Sequence, residues 1–196
     1  AEDGIRAVDP SRGLGDVYKR QGYEAPVKSI GNSTTTPRDL ENDLDVWIIQ
    51  IALAESVAAR LRKHGFKCKT VEITVRDNGL YSFSRQIHLR QPTNITNEIV
   101  TAAFQLFKDN YKWEHPIRSL GIRAADLVLD DIPVQLDLFG NQEKKEKLEK
   151  LDRTVDEIRR RFGYFSIQRA AMYQNKVLSH LDAGTHTVHP HSYFHG

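Results

Sequence analysis

Between Lys28 and Leu129 the apolar side chains alternate between the two-residue repeat of a strand and the three-to-four-residue repeat of a helix, and the order of those repeats leaves few folds open. Lys28–Thr36, rich in Ser and Thr, reads as a strand bent or interrupted at Gly31. Thr36 as N-cap, Pro37 at the first helical position and the early acids Asp39, Glu41, Asp43 and Asp45 then predict a helix. Its buried face carries Leu40, Leu44, Trp47, Ile51, Ala54, Ala58 and Leu61, and Arg60, Arg62, Lys63, His64 and the stop at Gly65 close it. From Lys67 the repeat falls to two, with Val71, Ile73 and Val75 on one face and Thr70, Glu72, Thr74 and Arg76 on the other. Asp77-Asn78-Gly79 predicts a tight primed hairpin turn. The return strand, Leu80–Leu89, points Phe83, Ile87 and Leu89 inward and Ser82, Ser84, Gln86 and His88 outward, with a bulge at Arg85. Thr96 caps a second helix stapled by Ile95 and Val100, with Ile99, Ala103, Leu106 and Phe107 inward and its end near Asn110. After His115-Pro116 a fourth strand, Ile117–Leu129, sets Leu120 and Ile122 against Ser119, Gly121 and Arg123.

The order strand, helix, strand, strand, helix, strand predicts an α+β fold of the split βαβ type: a mixed four-stranded sheet with both helices on one face. The other face is left to Thr, Ser, Gln, Arg and His, so it is either solvated or binds something polar. Beyond Gly140, Leu148, Leu151, Val155, Ile158 and Phe162 form the apolar seam of a highly charged helix within 141–163, and that seam is expected to pack against something. Tyr164–Gln174 reads as a short helix and Asp182–Gly196 as a His-rich tail. At the other end, residues 1–21 have no period; they are expected to be disordered, and Ser11–Gln21 reads as translated adapter sequence joined to a truncated gene. The organisation expected is therefore 22–131 as the folded domain, 132–140 as a linker, 141–163 as an amphipathic helix, and 164–196 as a short helix and tail.

Charge narrows the chemistry. A formal net charge of +2 rules out strong overall basicity as an argument for nucleic acid, so any basic surface is local. The single Cys68 excludes an intrachain disulfide framework and, with no apolar run of transmembrane length and no signal-peptide core, places the chain in the cytoplasm by expectation. There is no Gly-rich phosphate loop, no Cys/His ligand spacing and no nucleophile elbow. His180, His186, His189, His191 and His195 lack carboxylate support and read as a solvated tail, so neither a metal site nor a cofactor is assigned.

Two stretches carry binding chemistry. The hydroxyls of Ser29, Ser33, Thr34, Thr35 and Thr36, beside Lys28 and Arg38, suit phosphate oxygens, because they donate hydrogen bonds without reading a base; an ordinary Thr-rich edge strand is the alternative. Gln135-Leu136-Asp137-Leu138-Phe139 sets large apolar groups where the chain leaves the domain, between Pro133-Val134 and Gly140. Those groups are to be buried either on the domain as a last edge segment or in another protein.

Lys28-Ser29-Ile30-Gly31 with the downstream Thr-Thr-Thr-Pro, Ser82-Phe83-Ser84-Arg85, and Ile117-Arg118-Ser119-Leu120-Gly121-Ile122 resemble the C-terminal little finger domain of the Y-family DNA polymerases, the translesion enzymes similar to DNA polymerase IV. With Gln135–Phe139 and the ending His189-Pro190 and Tyr193–Gly196, the arrangement is most like the UV-damage repair polymerases of Gram-positive bacteria. The resemblance starts near Gly22-Tyr23 and runs to the C-terminus. It implies that the bare sheet face lies in the major groove of a damaged template-primer duplex. The implied phosphate contacts are Ser29, Gly31, Ser33 and Thr35 in the first strand and Ser84 and Arg85 in the hairpin. Arg118 and Arg123 join them, although spacing leaves their facing open. It also implies that Gln135, Leu136, Asp137, Leu138 and Phe139 dock on the bacterial sliding clamp, since each matches the clamp-binding pentapeptide. The family's palm, with its metal-binding carboxylates, is not found here, so this chain is expected to be a non-catalytic monomer and Mg²⁺ to belong to the missing palm. Two rivals stand beside this reading: an RNA recognition motif, which has the same element order but needs aromatic residues on the bare face such as Tyr81 and Phe83, and a plain protein-interaction adaptor.

Overall fold

The computed structural model describes residues 27–131 and 142–179. Strand β1 (Ser29–Leu40) leads to helix α1 (Asp43–Lys63), β2 (Phe66–Asp77) turns into β3 (Ser82–Thr93), and helix α2 (Thr96–Asn110) leads to β4 (Ile117–Leu129). Helix α3 (Gln142–Phe162) follows, then 3-10 turns at Tyr164–Ser166 and Ala170–Gln174 and a helical turn, α4 (Lys176–Ser179). The sheet order is β1-β4-β2-β3, with every neighbouring pair antiparallel. β1 and β2 thus run parallel with β4 between them, and β3 and β4 run parallel with β2 between them. Both helical crossovers skip a strand, as the split βαβ reading requires. The sheet is antiparallel rather than mixed, because the strand filling each gap comes from the other unit and runs the opposite way.

Both helices cover the face on which Ile30, Val71, Ile73, Val75, Leu120, Ile122 and Ala124 are buried. Helix α1 sits at the centre of this layer, touching the sheet, α2 and α4. For that reason it is apolar around most of its circumference: Val46, Ile48, Ile49, Ala52, Leu53 and Val57 are buried along with the expected Ile51, Ala54, Ala58 and Leu61, while Leu44, expected inside, is 45% exposed. Its start is also later than expected. Thr36 and Pro37 belong to β1, where the Thr36 hydroxyl donates to the Arg118 carbonyl at 3.0 Å. Pro37 falls in the register shift between Thr35 and Leu40, where the missing N–H breaks no ladder bond. The cap is Asn42, whose Oδ1 accepts from the Asp45 N–H at 2.9 Å. Gly65, at φ +68°, ends the helix as expected.

The β2–β3 connection is not a two-residue primed turn. Asp77 N–H donates to the Tyr81 carbonyl at 3.0 Å and Leu80 N–H to the Asp77 carbonyl at 3.3 Å, leaving a three-residue loop whose left-handed position falls on Leu80, at φ +70°. β3 lies at the sheet edge, so Phe83 and Leu89 are only partly covered and Ile87 is 37% exposed. Arg85 pairs with Ile73 in an unbroken ladder, and the irregularity lies instead between Cys68 and Thr70.

The C-terminal segments dock on this domain by polar contacts. Thr96, expected as a cap, is the first residue of α2, and its N–H donates to Asp152 of α3 at 2.7 Å. Arg62 places its Nε 2.6 Å from Asp156 and an Nη 3.3 Å from Asp152, and donates to the Asn94 carbonyl at 2.7 Å. Glu55, 5% exposed, takes Arg159 at 3.0 Å and Arg169 at 2.9 Å. The apolar seam divides: Leu148, Val155 and Ile158 are part-buried, while Leu151 is 54% and Phe162 74% exposed. Beyond α3 the single expected short helix is two 3-10 turns, and Met172 and Leu178 bury their side chains. The N-terminal stretch, Gln135–Phe139 and the His-rich tail all lie outside the described residues.

Candidate nucleic-acid interface

Alternation along four strands puts every second side chain on the face that the helices leave open, and the register lines these up in rows. Across β1, β4, β2 and β3 the rows run Thr35, Ser119, Arg76, Ser82; then Ser33, Gly121, Thr74, Ser84; then Gly31, Arg123, Glu72, Gln86; then Ser29, Ala125, Thr70, His88. Hydroxyls dominate. Thr35 and Ser119 share a hydrogen bond at 3.1 Å, Thr74 and Ser84 one at 3.0 Å, and Thr70 meets His88 Nδ1 at 2.8 Å. Two glycines keep the surface flat. A Cβ on Gly121 would stand 3.1 Å from Ser33 Cβ, and one on Gly31 would stand 3.2 Å from Arg123 Cβ.

The sequence-predicted residues divide on this map. Ser29, Gly31, Ser33, Thr35, Ser84 and Arg123 come together on the open face. Arg123 donates to Ser29 Oγ at 3.0 Å and lies 3.7 Å from Glu72. Arg118 sits at the rim, in the register shift beside Asp77, where it donates to the Thr36 carbonyl at 3.0 Å and pairs with Asp39 at 3.5 Å. Arg85 does not join them. One residue on from Ser84, it points to the helix side, with its guanidinium 5.5 Å from the Phe83 ring centre and its Nε 3.3 Å from Asn110 Oδ1.

The sequence pattern gives Arg76 only as an outward-facing strand position. It is exposed, and among the described residues its side chain has no hydrogen bond or ion pair. The signal that finds it is the strict alternation Thr70, Glu72, Thr74, Arg76, combined with the identity of the partner strands.

No Phe, Tyr or Trp stands in these rows. Phe83 stacks on Tyr111 on the helix side, with centroids 6.1 Å apart, and Tyr81 lies in the hairpin loop. β1 and β3 are edge strands here, so the arrangement of rings that an RNA recognition motif needs is not built. Near this cluster, hydrogen bonds from Lys108 and Trp113 hold the Asp43 carboxyl below its ordinary range, and burial raises the Tyr111 phenol. Among the described residues no group of His, Cys, Asp and Glu is arranged to hold a metal ion, and no helix is long and apolar enough to cross a membrane.

DNA polymerase IV of Acetivibrio thermocellus is 44% identical over 158 residues, covering 81% of this chain and 40% of that protein. DNA polymerase IV 2 of Bacillus subtilis is 36% identical over 148 residues, covering 74% and 35%. The chain therefore spans about two fifths of the length of these relatives. A solved complex of a beta-clamp processivity factor and the little finger domain of PolIV is similar at a TM-score of 0.44 and 15% identity, over 57% of this chain and 99% of that one. The impB/mucB/samB family C-terminal domain matches residues 27–138, and the chain belongs to that family.

Proposed function

We propose that this chain is the DNA-gripping and clamp-docking C-terminal part of a translesion DNA polymerase, and that it has no nucleotidyl transfer activity of its own. The observation that carries the reading is the open sheet face. Its short hydroxyl side chains, flat glycines and few arginines suit a phosphodiester backbone and offer little to read a base edge. Family membership and the DNA polymerase IV relatives supply the parent's chemistry. The Mg²⁺-binding carboxylates that such chemistry needs belong to the part of those relatives that this chain does not span. Residues 22–131 then form the grip and 132–140 the docking linker. In that linker Leu136, Leu138 and Phe139 are the apolar anchors, Gln135 hydrogen-bonds at the mouth of the clamp pocket, and Asp137 stays in water. The bacterial cytoplasm is the compartment that fits DNA as partner.

The test pairs two assays on the purified chain. Duplex DNA binding is expected to be weak, insensitive to sequence and steeply reduced by salt. Calorimetry with a bacterial sliding clamp is expected to detect binding that Leu138→Ala with Phe139→Ala removes, since each buried anchor contributes about 1.5–3 kcal/mol. Unchanged clamp affinity with a lowered melting temperature would make Phe139 a core residue and sink the docking role. Primer extension by the chain alone would refute the non-catalytic assignment.

A further inference from the structure

Charge is distributed unevenly over the open face. At its centre the Arg123 guanidinium is 3.7 Å from the Glu72 carboxylate and donates to Ser29 Oγ at 3.0 Å, so this pair adds almost no net field. At the rim, Arg118 is matched by Asp39 at 3.5 Å, and Asp77 is turned into the hairpin, where it accepts from the Tyr81 N–H at 2.9 Å. Within the four rows described above, Arg76 is the guanidinium that no carboxylate matches. It stands in one row with the hydroxyls of Thr35, Ser119 and Ser82 and lines a depression of about 420 Å³ with Asn78 and Arg118; the two carboxylates of that depression, Asp39 and Asp77, are held by Arg118 and by the hairpin backbone.

We infer that the face holds a nucleic-acid backbone at its hairpin end, with a phosphodiester oxygen on Arg76 and the neighbouring Thr35 and Ser119 hydroxyls, and that Glu72 keeps Arg123 from acting as a second anchor. This rests on the nucleic-acid reading above and adds to it a place and a limit. The physical reason is competition. A guanidinium beside a carboxylate gains little by exchanging it for a phosphate, and the carboxylate itself repels the backbone, whereas an unmatched guanidinium keeps the whole gain from counterion release. Glu72 therefore acts as a brake on affinity, built into the middle of the contact surface.

The experiment measures binding of the full chain to two duplexes of unrelated sequence across a salt series. Arg76→Ala is expected to weaken both about tenfold at low salt and to reduce the salt slope by about one. Arg76→Lys should recover part of the loss, because a point charge still meets a phosphate. Glu72→Gln is expected to tighten binding about fivefold and to steepen the slope by about one, as Arg123 becomes available. Arg123→Ala alone should change affinity less than Arg76→Ala does. Melting temperatures confirm that each exposed variant remains folded. Binding that survives Arg76→Ala, or that weakens in Glu72→Gln, overturns this inference while leaving the nucleic-acid reading in place. No duplex binding by the unaltered chain at low salt would remove the reading on which it rests.

Discussion

Replacing Asp152 by Ala should be the most damaging single change to the polar contact between α3 and the domain. Asp152 is 5% exposed; one of its oxygens accepts from the Thr96 N–H at 2.7 Å and lies 3.3 Å from Arg62, and the other is 3.3 Å from Arg169. The Thr96 N–H is one of the donors at the start of α2 that the helix cannot satisfy itself, and Ile95 supplies no side-chain cap. Leaving that buried donor unpaired costs about 1–3 kcal/mol. Arg62 keeps Asp156 and the Asn94 carbonyl, and Arg169 keeps Glu55, so the loss of their shared partner adds only about 1 kcal/mol. The sum is about 3 kcal/mol, or roughly 6–12 °C in melting temperature for a chain of this size. Urea unfolding followed by circular dichroism measures it directly, with Leu151→Ser as the control that should remain near the parent because that side chain is 54% exposed. If Asp152→Ala unfolds within about 0.5 kcal/mol of the parent, α3 is not docked in solution through these contacts, and the account of the C-terminal segments fails.

Other consequences are as concrete. Leu80 is 71% exposed and held at φ +70°, so Leu80→Gly relieves a left-handed conformation without losing packing; a gain of about 1 kcal/mol in urea unfolding is expected, and a loss would show that the side chain packs. Burial pushes the Cys68 thiol up from 9.0 to about 12. Its folded-state value lies above the unfolded one, so the associated stability is complete below pH 9 and is lost as pH rises from 9 toward 12, at up to about 1.4 kcal/mol per pH unit. Pulse labelling with a thiol reagent at pH 8 should modify Cys68 no faster than the domain unfolds, and fast labelling would contradict its burial.

Local rules were enough wherever one element's pattern decided its own fate. The bounds of β4, Ile117–Leu129, and the end of α2 at Asn110 follow from period and punctuation alone, whereas the set Ser29, Gly31, Ser33, Thr35 comes from the family resemblance. The failures share a cause that no window on the chain contains. Thr36 and Pro37 satisfy the local rules for a helix start, yet Thr36 finds a cross-strand carbonyl on Arg118, and Asn42 with Asp45 makes the better cap six residues on. Spacing places Leu44 inside, but α1 turns other side chains toward α2 and α4. Ser84 and Arg85 are paired only by the family resemblance, and a strand's pleat sets these adjacent residues on opposite faces. The apolar seam of α3 is plain in the sequence. What cannot be read there is that Arg62, Asp152 and Thr96, far apart along the chain, decide which side of the helix docks.

Because α3 holds to the domain by side-chain contacts of its own, the ten residues from 132 to 141 join two pieces that already adhere. Cutting the chain there should leave the fragments associated, and lengthening it should cost little, since each doubling of a connecting loop adds about 0.6 kcal/mol. The proposed docking peptide Gln135–Phe139 lies on this connection, so a chain cut or lengthened there separates the adhesion of α3 to the domain from the docking proposed for the peptide.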